Sequence, residues 1–102
     1  MKEIMFNQFD EVFKKGLNVF VFGAPRCKDC RFIEPMLLEL SKEFSDIGFY
    51  GIDVDKNDGV MDKMGIRRIP TILFVKDGVE MHERVVEPQN IKLIKEGIEK
   101  LV

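Results

Sequence analysis

At 102 residues, with 45% of them apolar and nine Phe, the chain suits one domain spanning residues 1–102 around a packed core. Its net charge of −2, with acids and bases interspersed, excludes a nucleic-acid surface and an acidic solvating arm. No apolar run approaches the ~18 residues of a membrane span, and residues 1–7 lack a signal peptide's apolar core. A cytoplasmic, membrane-free monomer is expected.

In chain order, Asn7 is placed to cap a short helix whose apolar face is Phe9, Val12 and Phe13, with Gly16 as its stop. Residues 4–6 read at most as a short edge strand. Residues 18–22, Asn-Val-Phe-Val-Phe, are a short, β-branched and aromatic run and read as a buried strand. Beyond them Phe32, Met36, Leu37, Leu40 and Phe44 recur at helical spacing, so a helix is expected over about 27–44, kinked near Pro35. Residues 47–54 read as a second buried strand and 55–59 as a loop. Val60, Met61 and Met64 mark a short helix closed by Gly65. Residues 71–75 form a third strand, and Asp77-Gly78 signals a hairpin. The chain is then expected to return antiparallel over 79–86. Pro88 suits the first turn of a last helix with Ile91, Leu93, Ile94, Ile98 and Leu101 on its apolar face. This succession predicts an α/β fold: a central mixed β-sheet of four or five strands flanked by helices.

The chemistry concentrates in residues 24–31, Ala-Pro-Arg-Cys-Lys-Asp-Cys-Arg, which hold both cysteines of the chain. Strand before and helix after put the pair at a helix N-terminus, where free N–H groups and the macrodipole favour an anion such as a thiolate. Cysteines in a chain without an export signal point to catalysis or metal binding. A small buried pair and half a zinc site are the plainer readings. A zinc site normally needs four ligands, and the lone His82 falls on the hairpin, so no metal is assigned. Arg26 and Lys28 flank Cys27 and are candidates for lowering its pKa, with Asp29 opposing them. Asp29 can instead serve the helix N-terminus, and all three can be plain solvated charges. Phe20, Phe22 and Phe32 are read as core, and His82 as a surface strand residue. Pro70 alone reads as a strand-initiating proline.

Three places together resemble the thioredoxin family. They are Cys27-Lys28-Asp29-Cys30 with Pro35 beyond, Lys63 to Thr71 with Ile69-Pro70-Thr71 at its end, and Phe74-Val75-Lys76-Asp77-Gly78. The resemblance covers nearly the whole chain and implies the thioredoxin fold. It implies thiol–disulfide oxidoreductase activity without a metal or organic cofactor, with Cys27 as nucleophile and Cys30 as resolving thiol. It further implies a cis Ile69–Pro70 bond opposite the cysteines, with Ile69, Pro70 and Arg26 bordering the substrate groove. The expected partners are disulfide-containing proteins and an electron donor, either a thioredoxin-reductase-like enzyme or a low-molecular-weight thiol.

Several residues depart from that family's pattern. Arg26 replaces its usual Trp, and Lys28-Asp29 its Gly-Pro. Val21 stands where many members keep a buried acid, Gly51 where a lysine often accompanies it, and Val86 where a glycine lines the groove. Without the acid, water or a carboxylate such as Asp29 must take the proton of Cys30, and slower reduction is expected. These departures leave room for an adaptor module with idle cysteines. A glutathione-dependent, glutaredoxin-like enzyme ranks lower, because the Thr-Val-Pro and Gly-Gly signatures are missing. An iron–sulfur cluster bridging two copies through Cys27 is a further alternative.

Overall fold

The computed structural model describes residues 1–102. Three strands form its centre: β2 (Leu17–Gly23), β3 (Gly48–Asp53) and β4 (Thr71–Lys76). Shorter pieces extend the sheet: β1 (Lys2–Glu3), β5 (Val79–Glu80) and β6 (Val85–Val86). The helices are α1 (Phe9–Phe13), α2 (Lys28–Glu43), α3 (Val60–Met64) and α4 (Ile91–Leu101). Across the sheet the order is β1-β3-β2-β4-β5, with β6 also on β4. The β1–β3 and β2–β3 pairs are parallel, and β4 runs antiparallel to β2, β5 and β6.

Strand alternation divides the core into two layers. Val19 and Val21 of β2 pack with Ile33, Leu37 and Leu40 of α2 and Ile94, Ile98 and Leu101 of α4. Phe20 and Phe22 point the other way, to Phe9 of α1 and Val60 of α3. The run at residues 18–22 lacks polar alternation because both faces of β2 are covered.

Local details differ from the sequence reading where a distant contact decides them. Asn7 caps nothing: residues Phe6–Gln8 form a 3-10 turn, and the Gln8 side chain accepts the Met5 N–H at 2.9 Å. The edge strand lies at Lys2–Glu3, two residues before the expected place. Helix α2 runs unbroken through Pro35, but its buried stripe is Ile33, Leu37 and Leu40. Phe32, one position away, is 49% exposed and is not core. The return strand breaks between β5 and β6, because the residues there are drawn elsewhere. The His82 ring lies 4.8 Å from the Phe74 ring, with Nε2 2.8 Å from the Gly97 carbonyl oxygen of α4. Arg84 donates to both Glu80 carboxylate oxygens and to the Met64 carbonyl. Pro88 lies before the last helix, whose cap is Asn90 accepting the Leu93 N–H. Leu93 itself is exposed. No helix is long and apolar enough to cross a membrane.

Candidate active site

Sheet register brings the two unusual segments together. Phe22, near the end of β2, pairs with Thr71, at the start of β4, and the strands are antiparallel. The chain leaving β2 toward the cysteines therefore meets the chain entering β4 through Ile69 and Pro70 at one end of the sheet. The Ile69–Pro70 bond is cis. The carbonyls on either side of it are tied: Thr71 Oγ1 donates to the Arg68 carbonyl at 2.6 Å, and the Glu87 N–H donates to the Pro70 carbonyl at 2.9 Å. The Ile69 carbonyl oxygen lies 3.7 Å from Cys27 Sγ.

Cys27 is itself the N-cap of α2. Its backbone is extended, and its sulfur accepts the Cys30 N–H at 3.1 Å. A cap acceptor satisfies one of the free donors of the first turn, so the sulfur sits against the positive end of a 16-residue helix. Cys30 lies one turn further in. Both thiols are free and half-buried. Burial first, and the hydrogen bond with Cys27 second, push the Cys30 thiol up to about 12, toward the neutral form.

This shift has a sign that can be measured. The folded value lies above the ordinary ~8.5 of a thiol. Neutral Cys30 therefore stabilises the reduced fold fully below that value, and the contribution is lost as pH rises toward about 12. Thermal unfolding of the reduced protein between about pH 9 and 12 should show a steeper loss of Tm than the Cys30→Ser variant. Equal losses in the two proteins would contradict it.

The flanking charges are arranged differently from the simplest expectation. The Arg26 guanidinium donates to both oxygens of Asp55, at 2.7 and 3.1 Å, so its charge is already partnered. The side-chain hydrogen bond and charge of Asp55 raise the Arg26 pKa, with smaller contributions from the two cysteines beside it. Lys28 is exposed on the first turn of α2. Asp29, half-buried in the same turn, is not the cap, because the Cys27 sulfur holds that place. Arg31 donates to the Pro25 carbonyl at 2.6 Å and braces the loop before the motif. No group of three or more His, Cys, Asp or Glu residues is close enough to hold a metal ion.

Behind Cys30 lies an open cavity of about 320 Å³, lined by Cys30, Val21, Gly23, Gly51 and Asp53 among others. Val21 and Gly51 thus face the space beside the second thiol. Gly23 makes room for that thiol: a Cβ at this position would stand 2.9 Å from Cys30 Sγ, and one of the two would have to shift. The sequence reading passed over Gly23, Asp53 and Asp55. A glycine ending a buried strand is a signal of close approach, but Asp53 and Asp55 gain meaning only from strand pairing and loop geometry.

A thiol at a helix tip, a second thiol one turn inward and, beside the first, the carbonyl that precedes a cis-proline define a dithiol–disulfide exchange protein. The chain belongs to the thioredoxin family, whose model matches residues 1–100. It is 38% identical over 87 residues to thioredoxin H5 of Arabidopsis thaliana, covering 81% of this chain and 73% of the relative. A thioredoxin of Geodia cydonium is 38% identical over 80 residues, 76% of each chain. The structures of Plasmodium falciparum and Fasciola hepatica thioredoxins match with TM-scores of 0.89 and 0.88, at 28% and 29% identity, over 100% of each chain. The protein is a thiol–disulfide oxidoreductase of thioredoxin type.

Proposed function

We propose that the chain reduces disulfides of protein substrates, with Cys27 as the attacking sulfur and Cys30 as the resolving one. The observation that carries this reading is the Cys27 sulfur at the α2 N-cap, 3.1 Å from the Cys30 N–H and 3.7 Å from the Ile69 carbonyl oxygen. The Cys27 thiolate attacks one sulfur of the substrate disulfide. That bond breaks, a Cys27–substrate disulfide forms, and the first substrate sulfur leaves with the electron pair. Cys30 then loses its proton and attacks the Cys27 sulfur. The second substrate sulfur leaves, and a Cys27–Cys30 disulfide remains. Two electrons have passed to the substrate. A thioredoxin-reductase-like enzyme or a small thiol returns them.

Ile69 and Pro70 border the groove in this reading, and the Ile69 N–H, which has no backbone acceptor, is free to pair with an extended substrate segment. Arg26, fixed by Asp55, forms the opposite rim. Lys28 and Asp29 act on the Cys27 thiolate with opposite signs. Residues 1–102 work as one domain, as a monomer in the cytoplasm. The test is turnover of insulin disulfides with dithiothreitol as donor. The native protein should accelerate it, and Cys27→Ser should return the rate to that of dithiothreitol alone. Undiminished turnover by the variant would refute the assignment.

A further inference from the structure

The geometry points to Asp53 as the group that receives the Cys30 proton during resolution, across the cavity behind that thiol. This inference rests on Cys30 being the resolving sulfur. A neutral thiol is a poor nucleophile, so the step needs an acceptor. Val21, on the cavity wall, offers only methyl groups.

Asp53 is placed to supply what Val21 lacks. It ends β3 and pairs in register with Gly23. The Cys30 sulfur approaches Gly23 so closely that a Cβ there would be 2.9 Å away, so no side chain of that residue stands between thiol and carboxylate. Phe49 packs in the α2 layer and Ile52 in the opposite one, so alternation along β3 turns Asp53 toward α2. The residue is 7% exposed. One oxygen accepts the Asp55 N–H at 2.9 Å, which orients the carboxylate and leaves the other oxygen for the cavity. Asp53 and Cys30 both line this space of about 320 Å³. At ~30 Å³ per water, it has room for a short relay.

The other charged groups around Cys30 are worse placed. On its own helix, Asp29 lies at the outer tip and does not line the cavity, and its charge raises the Cys30 pKa. Glu34 lines the cavity but is exposed, as is Glu3 from β1 beside Met1. Arg31 is held by the Pro25 carbonyl and Arg26 by Asp55. Cys27 is bound to substrate at this stage. In the step itself, the Cys30 S–H bond breaks and its proton passes through water to Asp53. The Cys30 thiolate forms a bond to Cys27 Sγ, and the Cys27–substrate S–S bond breaks. The substrate thiolate leaves with the electron pair and then takes up a proton.

The aryl disulfide dithiobis(nitrobenzoate) separates the two steps in stopped flow. Its first coloured thiolate reports attack by Cys27, and its second reports resolution by Cys30. Asp53→Asn keeps the oxygen that accepts the Asp55 N–H. It should slow the second phase by about tenfold or more near neutral pH, leave the first within about twofold, and make the second rise about tenfold per pH unit, tracking free Cys30 thiolate. Added formate should restore the second phase in Asp53→Ala, which a merely structural loss would not permit. Glu34→Gln should leave both phases unchanged. An unaltered second phase in Asp53→Asn, equal slowing of both phases, or loss on Glu34→Gln overturns the inference. Absence of a second phase in the native protein would instead overturn the resolving role of Cys30.

Discussion

Gly97→Ala should lower the melting temperature, although a helix-propensity argument predicts the opposite. Alanine is favoured over glycine inside a helix by ~1 kcal/mol, and Gly97 lies in the middle of α4. A Cβ there would stand 2.4, 2.6 and 2.8 Å from three atoms of the Phe74 ring. That ring has no room to retreat. Phe74 is fully buried in the layer between the sheet and helices α2 and α4. Its ring is also stacked on His82, whose Nε2 lies 2.8 Å from the Gly97 carbonyl oxygen. Overpacking of about 3 kcal/mol against the ~1 kcal/mol propensity gain leaves a net loss of about 2 kcal/mol. For a domain of this size that corresponds to roughly 8–16 °C in Tm. Thermal unfolding followed by circular dichroism decides it, and an unchanged or raised Tm would show that the ring moves aside.

Cys30→Ser should turn the protein into a trap. Attack by Cys27 survives, but the mixed disulfide then waits for an external thiol. The missing attack is intramolecular, from a residue one turn away whose N–H is already 3.1 Å from the Cys27 sulfur. Well-oriented groups of this kind react at effective concentrations far above 1 M. Even an effective concentration of about 1 M, set against millimolar dithiothreitol, predicts a loss of multiple turnover of about 10³-fold. Mass spectrometry should find the substrate thiol bound to Cys27 in a stable adduct. Near-native turnover with no adduct would mean that the second thiol is dispensable.

Much of the fold was legible because it is local. The apolar run of β2 read as a buried strand, and both of its faces are covered. The Asp77-Gly78 turn was readable because both residues adopt positive φ, 47° and 82°. The cysteine spacing and the strand before it placed the helix tip to within one residue. Errors arose where phase or a distant tether decides. Phe32 and Ile33 are adjacent apolar residues, and only packing against the sheet chooses Ile33 for the core. The break in the return strand depends on His82 reaching Gly97 and Arg84 reaching Met64, contacts 15 and 20 residues apart in the chain. At the site, both cysteines and the proline were visible in the sequence. The Arg26–Asp55 pair spans 29 residues, and the place of Asp53 behind Cys30 follows from its pairing with Gly23. Single-sequence patterns carry neither.

The division of labour between the sulfurs is tested most directly by brief treatment of the reduced protein with limiting iodoacetamide near neutral pH, followed by peptide mapping. The N-capping sulfur of Cys27 should carry the label, while Cys30, held neutral by burial and its hydrogen bond, stays free. Label shared equally, or found first on Cys30, would contradict the account.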